Sequence, residues 1–300
     1  MKKANEMKTE NGYTLMEILI SILILIPIMG AAVSLFSTGA EQQASEQNSI
    51  DANQEARSAL EMMSREIAQA GSHGDKGTVT TGSVSASSAA QALSIASAAG
   101  IMAGDWVDVD YGVSQEIVEV TAVGNNSITG IFRTQHLSGR PVRLFALPFT
   151  SGMIAPPGMA VNSSSAVTTL RFFGDINSDS TVQYVEYNYD SVNNQITRSI
   201  TPVTLNTRNE ALPLIRNLKP GSVQFMLNTD SNGIVTSANI SFTVLGTWET
   251  VSRVQETELS TKIMIPSAVA SSALLYENRR YGGVDRLPPT PAQVTAWTNE

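Results

Sequence analysis

The run from Tyr13 to Phe36 reads YTLMEILISILILIPIMGAAVSLF, and nearly every side chain in it is apolar. As a helix rising about 1.5 Å per residue it is roughly 36 Å long, enough to cross a bilayer. Glu17, near its start, is the run's one charged residue. A carboxylate at hydrocarbon depth costs roughly 2.5–3.5 kcal/mol on insertion scales and normally needs a partner. No other side chain in the run can supply one, so the partner must come from a chain terminus or from another molecule. This pattern describes a helix that spends time in a membrane and then joins an assembly.

Residues 1–12 (MKKANEMKTENG) are polar, with Lys2, Lys3 and Lys8 offset by Glu6 and Glu10. Positive charge ahead of a span keeps its N-terminus in the cytoplasm and sends the following chain outside. No other segment is long and apolar enough to span, so a single pass is expected. The segment admits three readings. It can be a secretory signal peptide with Ile18–Ile26 as its apolar region and Gly30-Ala31-Ala32 near a cleavage site. It can be a plain anchor. It can be a leader cut before the apolar run, so that the hydrophobic helix is retained. The signal-peptide reading leaves Glu17 without purpose, and does not explain the helical pattern beyond the span.

Gly12-Tyr13-Thr14-Leu15-Met16-Glu17 resembles the processing motif of type IV pilins and type II secretion pseudopilins: glycine, an aromatic, serine or threonine, leucine, any residue, glutamate. Tyr13 stands where phenylalanine is commoner. The resemblance implies that prepilin peptidase cuts between Gly12 and Tyr13, that Tyr13 is N-methylated, and that Glu17 pairs with a neighbouring subunit's N-terminal amine. It also implies other partners, namely major and minor pilins and an inner-membrane assembly platform. The implied location is the inner membrane, with the body outside the cytoplasm, and then the pilus at the cell surface. The physics is compatible. Cleavage creates a cation one helical turn before Glu17, and opposite charges attract strongly in a low-dielectric setting. Gly12 has no side chain to shield the scissile bond.

Pro27, with Gly30 three residues on, removes a helix hydrogen bond, so a kink or melted turn is expected there. Membrane helices also tolerate proline and glycine without unwinding. Further along, residues 56–71 read ARSALEMMSREIAQAG. Ala56, Ala59, Leu60, Met63, Ile67 and Ala70 follow helical spacing, while Arg57, Glu61, Ser64 and Glu66 fall elsewhere. This stripe predicts packing on a sheet, with Gly71 as the helix stop. The stretch SREIAQAG resembles the corresponding helix end in PilW-type minor pilins and, next, J-type pseudopilins.

Beyond the helix the chain turns rich in Ser, Thr, Asn, Gly and Val. Residues 72–104 are low in complexity. Strand-like runs follow at Trp106–Tyr111, Gln115–Val123, Ser127–Arg133 and Val142–Ala146, with a hairpin turn at Gly124-Asn125-Asn126. Trp106, Val107, Val109, Ile117, Val118 and Val120 are expected to form a small core. Pro148, Pro156 and Pro157 mark a boundary. Six more runs follow, with the alternation of antiparallel strands that have one wet face. The expected organisation is a leader over 1–12 and a helix over 13–71 that spans the membrane over 13–36. A β-rich subdomain over 72–147, an antiparallel head over 148–265 and a partly disordered tail over 266–300 complete it. The fold class is α+β: a long N-terminal helix packed on an antiparallel sheet head, with a small additional β subdomain.

The rest of the composition sets limits. The net charge is −8 with no basic stripe, which argues against a nucleic-acid partner. The absence of cysteine rules out disulfides and thiolate metal sites. His73 and His136 are the only histidines, and no nucleophile–base pattern or phosphate loop is visible, so no catalytic role is expected. Asp108 and Asp110 read as a solvated strand face. Asp175, Asn177, Asp179, Thr181 and Glu186 have the spacing of a calcium loop, although Ser180 replaces the usual glycine and Val182–Tyr189 reads as a strand. The same residues also suit an Asx-rich turn. The function expected is that of a non-catalytic PilW-like minor pilin acting in pilus initiation, assembly or a tip complex. The alternatives are a J-type pseudopilin and, from another class, a membrane-anchored or secreted β-rich calcium-dependent adhesin.

Overall fold

A computed structural model of the chain describes residues 14–74, 77–145, 149, 152–246, 255–280 and 289–298; of 255 and 274–280 only the backbone is described. Helix α1 (Leu15–Ala68) is a single element of 54 residues, about 80 Å long. Thr14 caps it: the backbone there is extended, and Oγ1 accepts the Glu17 N–H at 3.3 Å. Of the kink or melted turn expected at Pro27 and Gly30, the melted turn is not formed: the helix is continuous through both residues. One proline removes one hydrogen bond, which a long helix can lose without ending. Past Gln69 the chain leaves the helix at Gly71, whose φ of +75° is the left-handed conformation a helix stop requires.

Two small sheets follow. Their strands are β1 (Thr78–Val79), β2 (Gln91–Ser94), β3 (Trp106–Val109), β4 (Glu116–Glu119), β5 (Ala122–Gly124), β6 (Ser127–Gly130) and β7 (Pro141–Leu144). They pair antiparallel in the orders β1-β7-β3-β4 and β2-β6-β5. Gly124 pairs with Ser127, so Asn125-Asn126 forms the two-residue hairpin turn. Leu93, Ile95, Val107, Val109, Val118, Val120, Ile128, Phe132 and Val142 fill the space between the sheets. Trp106 and Ile117 are only half-buried, because successive strand residues face opposite ways and these two fall on the outer side with Asp108.

The head comprises β8 (Ser164–Val167), β9 (Thr169–Gly174), β10 (Gln183–Asp190), β11 (Gln195–Pro202), β12 (Leu212–Ile215), β13 (Gln224–Thr229), β14 (Val235–Gly246) and β15 (Gln255–Met264). They form two antiparallel sheets, β12-β11-β10-β9 and β15-β14-β13-β8. The second half of α1 lies against both. Ala56, Ala59, Met63, Ile67 and Ala70 share one core with Leu170, Val185, Ile196 and Ile215 of the first sheet and Phe225, Ile240, Phe242 and Val244 of the second. The fold is thus α+β, with the helix packed on antiparallel sheets.

The segment expected to be partly disordered holds two helices, α2 (Pro266–Arg280) and α3 (Ala292–Thr298). Ala268 of α2 enters the head core, and the Ser271 hydroxyl donates to the Phe149 carbonyl. Val294 and Trp297 of α3 are buried with Phe149, Phe173, Val182, Tyr184 and Val203 on the other face of β9 and β10. The proline cluster that suggested disorder lies between these helices; the apolar residues that order α3 are too few to stand out in a polar sequence.

Candidate membrane and assembly surface

Among the described residues the first half of α1 packs against no other element. Its most apolar window has a mean hydropathy of 2.7 and none of it is buried. Leu15, Leu23, Val33, Leu35 and Phe36 are each more than two-thirds exposed. Among the described residues this is the one helix long and apolar enough to cross a membrane. Glu17 sits in its first turn, where a carboxylate complements the partial positive charge of the helix N-terminus. Ser21, one turn on, donates its hydroxyl to the Glu17 carbonyl at 2.8 Å, leaving the carboxylate itself at the surface beside Ile18, Ile22 and Leu25. Gly12 and Tyr13 lie outside the described residues, so the Glu17 side chain is placed and the processing pair is not. Gly30 faces open space.

The second half of α1 fixes how this surface leaves the head. Its buried positions Ser49, Ala56 and Met63 recur every seven residues, with Ala59, Glu66 and Ile67 filling the same face. Small residues bring the helix close to the sheet: a Cβ added to Gly246 of β14 would stand 3.0 Å from the Ser49 side chain. By spacing alone Glu66 falls outside the apolar stripe, yet it is 8% exposed. Both its oxygens receive Arg198 of β11, Nε at 3.1 Å, and the Tyr187 hydroxyl of β10 donates to Oε2. Burial first, then the Glu66 charge, pushes the Tyr187 phenol far above its ordinary value and keeps it a donor. A lone acidic residue one position from an apolar stripe gave no signal of this; its partners lie 121 and 132 residues away.

The calcium spacing is not assembled as a site. Asp175 is buried and accepts the N–H groups of Asp179 and Ser180 at 3.0 and 2.9 Å, while Asp179 accepts that of Thr181 at 2.8 Å. This is an Asx-type turn, with Ser178 and Ser180 at positive φ. Glu186 is on β10 and faces Arg171 at 3.3 Å, Arg208 at 3.4 Å and the Tyr184 hydroxyl at 2.8 Å. The strand carries it away from the aspartates, as alternation requires. Among the described residues no three His, Asp or Glu side chains converge to hold a metal.

Both histidines are buried against carboxylates. His136 meets Glu116 at 2.7 Å through Nε2 and Asp110 at 3.4 Å through Nδ1. Asp110 is therefore no solvated strand residue: it is 7% exposed, at a φ of +72°, with Arg140 at 3.7 Å. Thr134 Oγ1 lies 3.2 Å from His136 Nε2, opposite the nitrogen that faces Asp110, a threonine–histidine–aspartate sequence of contacts. Glu116 is the nearer partner on that edge of the ring and also accepts the Arg133 N–H, so the imidazole ties two loops together. Asp108 takes a hydrogen bond from Gln115 at 2.8 Å.

Searches against protein-family models, curated proteins and solved structures found no match of any kind.

Proposed function

We propose that this chain is a minor pilin, PilW-like, whose leader is removed between Gly12 and Tyr13 and whose α1 then enters a type IV pilus or its initiation complex. One observation carries the reading: a single continuous helix has an exposed apolar half, charged only at Glu17, and a second half packed into an antiparallel head. The exposed half suits two environments in turn, lipid before assembly and neighbouring helices after it. In both, the Glu17 carboxylate needs a cation, and a processed N-terminus supplies one. The head stays folded throughout, because its core does not use residues 15–36.

Mass spectrometry of the mature N-terminus tests this. A chain beginning at N-methylated Tyr13 supports the proposal, and one beginning after Gly30–Ala32 ends it. Recovery of the subunit from sheared pili, and not from a secretion apparatus, separates a pilin from a J-type pseudopilin.

A further inference from the structure

The β-rich module of residues 77–145 and the head have separate cores. Val107, Val118 and Phe132 fill the module, Leu170, Phe225 and Ile240 fill the head, and among the described residues the two clusters share no member. The chain crosses between them twice, after Gly74 and after Phe145. At the joint, backbone lies close to backbone: a Cβ added to Gly100 of the module would stand 3.0 Å from the Ser180 carbonyl oxygen. The Gly100 carbonyl itself lies 2.7 Å from His73 Nε2. Beside these contacts the joint is open. A cleft of about 510 Å³ runs between residues 97–102 and 123–125 of the module and residues 180–182 and 203–204 of the head.

The C-terminal segment touches both bodies. On the head, Val294 and Trp297 of α3 are buried with Phe149, Phe173 and Tyr184. On the module, Met102 packs against that same cluster, and the Pro289 ring abuts Gly104. A Cβ added to Gly104 would stand 2.7 Å from the proline ring, so the close approach depends on a bare glycine, which also sits at a φ of +94°. Met102 and Gly104 are tied firmly to the module. The Met102 N–H donates to the Asp105 carboxylate at 2.6 Å and the Gly104 N–H to the Val120 carbonyl at 2.7 Å.

We propose that residues 289–298 are a strap that holds the β-rich module at one angle to the head. Val294 and Trp297 dock the strap on the head, and Pro289 bears on the module through Gly104. The segment is suited to lying across a surface and not to standing alone. Helix α3 has seven residues, short of the length at which a helix persists in water by itself, so its contacts keep it helical. Pro289 and Pro291 have fixed φ, which reduces the freedom lost on docking, and Pro291 is buried. No side chain from 289 to 298 ionises, so the attachment is apolar throughout. With the strap seated, module and head move as one body. With it lifted, the two chain crossings and the backbone contact at Gly100 are left to join them, and the open cleft gives the module room to swing.

The chain has no cysteine, so two can be introduced cleanly. Val113 in the module and Val192 in the head are 101% and 87% exposed. Spin labels at Val113→Cys and Val192→Cys, in the full chain in detergent, report their separation by pulsed electron resonance. One narrow distance is expected with the strap intact. Trp297→Ala, which undocks the strap, and Pro289→Gly, which removes the ring against Gly104, should each broaden the distribution. Control pairs inside the head (Val161→Cys with Val192→Cys) and inside the module (Val113→Cys with Val123→Cys) should stay narrow, showing release without unfolding. Should Trp297→Ala fail to fold, Pro289→Gly decides the matter, since it leaves the head core untouched. A module-to-head distance that stays narrow in every folded variant overturns the strap. Broadening of a control pair overturns it as well, because the segment would then be part of that body's own fold.

Discussion

Glu66 in α1 and Arg198 in β11 form a two-pronged ion pair inside the head, 132 residues apart in sequence. It holds the helix at one rotation and one height on the sheet, and so sets the direction in which the exposed half of α1 leaves the head. Apolar contacts along Ala56, Met63 and Ile67 tolerate small slips; a bidentate guanidinium–carboxylate contact does not.

Glu66→Ala should therefore lower the unfolding free energy by about 3 kcal/mol, because it strands a guanidinium and a phenol that are largely out of water. Chemical denaturation of wild type, Glu66→Ala, Arg198→Ala and the double variant measures the coupling. A pair merely resting at the surface would give less than about 1 kcal/mol.

Gly152 packs its backbone directly on that of Gly71, and an added Cβ would collide with the Gly71 amide and the Ala70 carbonyl carbon. Gly71 N–H donates to the Phe173 carbonyl at 2.8 Å, and Phe173 N–H to the Gly152 carbonyl at 2.8 Å, so three segments meet there. Gly152→Ala should cost at least about 1–3 kcal/mol, since rigid backbone must shift. Thermal melts of the two proteins provide the check.

Trp297 is 3% exposed and packs against Tyr184 with ring centres 5.5 Å apart. Trp297→Ala should cost about 3–5 kcal/mol, the range for truncating a buried tryptophan. If the C-terminal helix were a loose appendage, the denaturation midpoint would stay where it was.

The Asp105 carboxyl is raised by burial from an ordinary 3.8 to about 7. Its contribution to stability is thus complete below about pH 4 and is lost as pH rises through 7. Asp105→Asn avoids the charged form, so it should stabilise the protein at pH 8 by up to about 4 kcal/mol and change little at pH 4.5. Denaturant unfolding at the two pH values tests the sign, and an equal effect at both would refute it.

Glu17→Ala should leave the head's melting temperature unchanged, since residue 17 touches none of the head's described residues. Transfer of α1 into lipid should become easier by roughly 2.5–3.5 kcal/mol. On the proposed function, processing continues while incorporation into filaments falls sharply, as quantified by immunoblotting sheared pili against membranes.

Local pattern revealed a good deal. Spacing alone identified Ala56, Ala59, Leu60, Met63, Ile67 and Ala70 as the packed stripe; five of the six are fully buried, and Leu60 is half-buried against the same core. The hairpin turn at Asn125-Asn126 and most of the long strands were visible because alternation and turn chemistry act over a few residues. Two short strands of the head escaped notice. β8 and β12 have too few residues to show a period, and pairing with a long neighbour is what makes them strands.

The sequence by itself determined the long apolar helix, its one carboxylate and the antiparallel character of the body, since each follows from periodicity and from the cost of exposing or burying a group. Only the tertiary structure decided the fate of the polar residues. Glu66, Asp105, Asp110 and both histidines went inside, Glu186 turned toward arginines instead of the Asp175 turn, and the C-terminal residues folded onto β9 and β10. A buried charge is permissible only where a distant partner arrives to meet it, and no local pattern carries the identity of that partner.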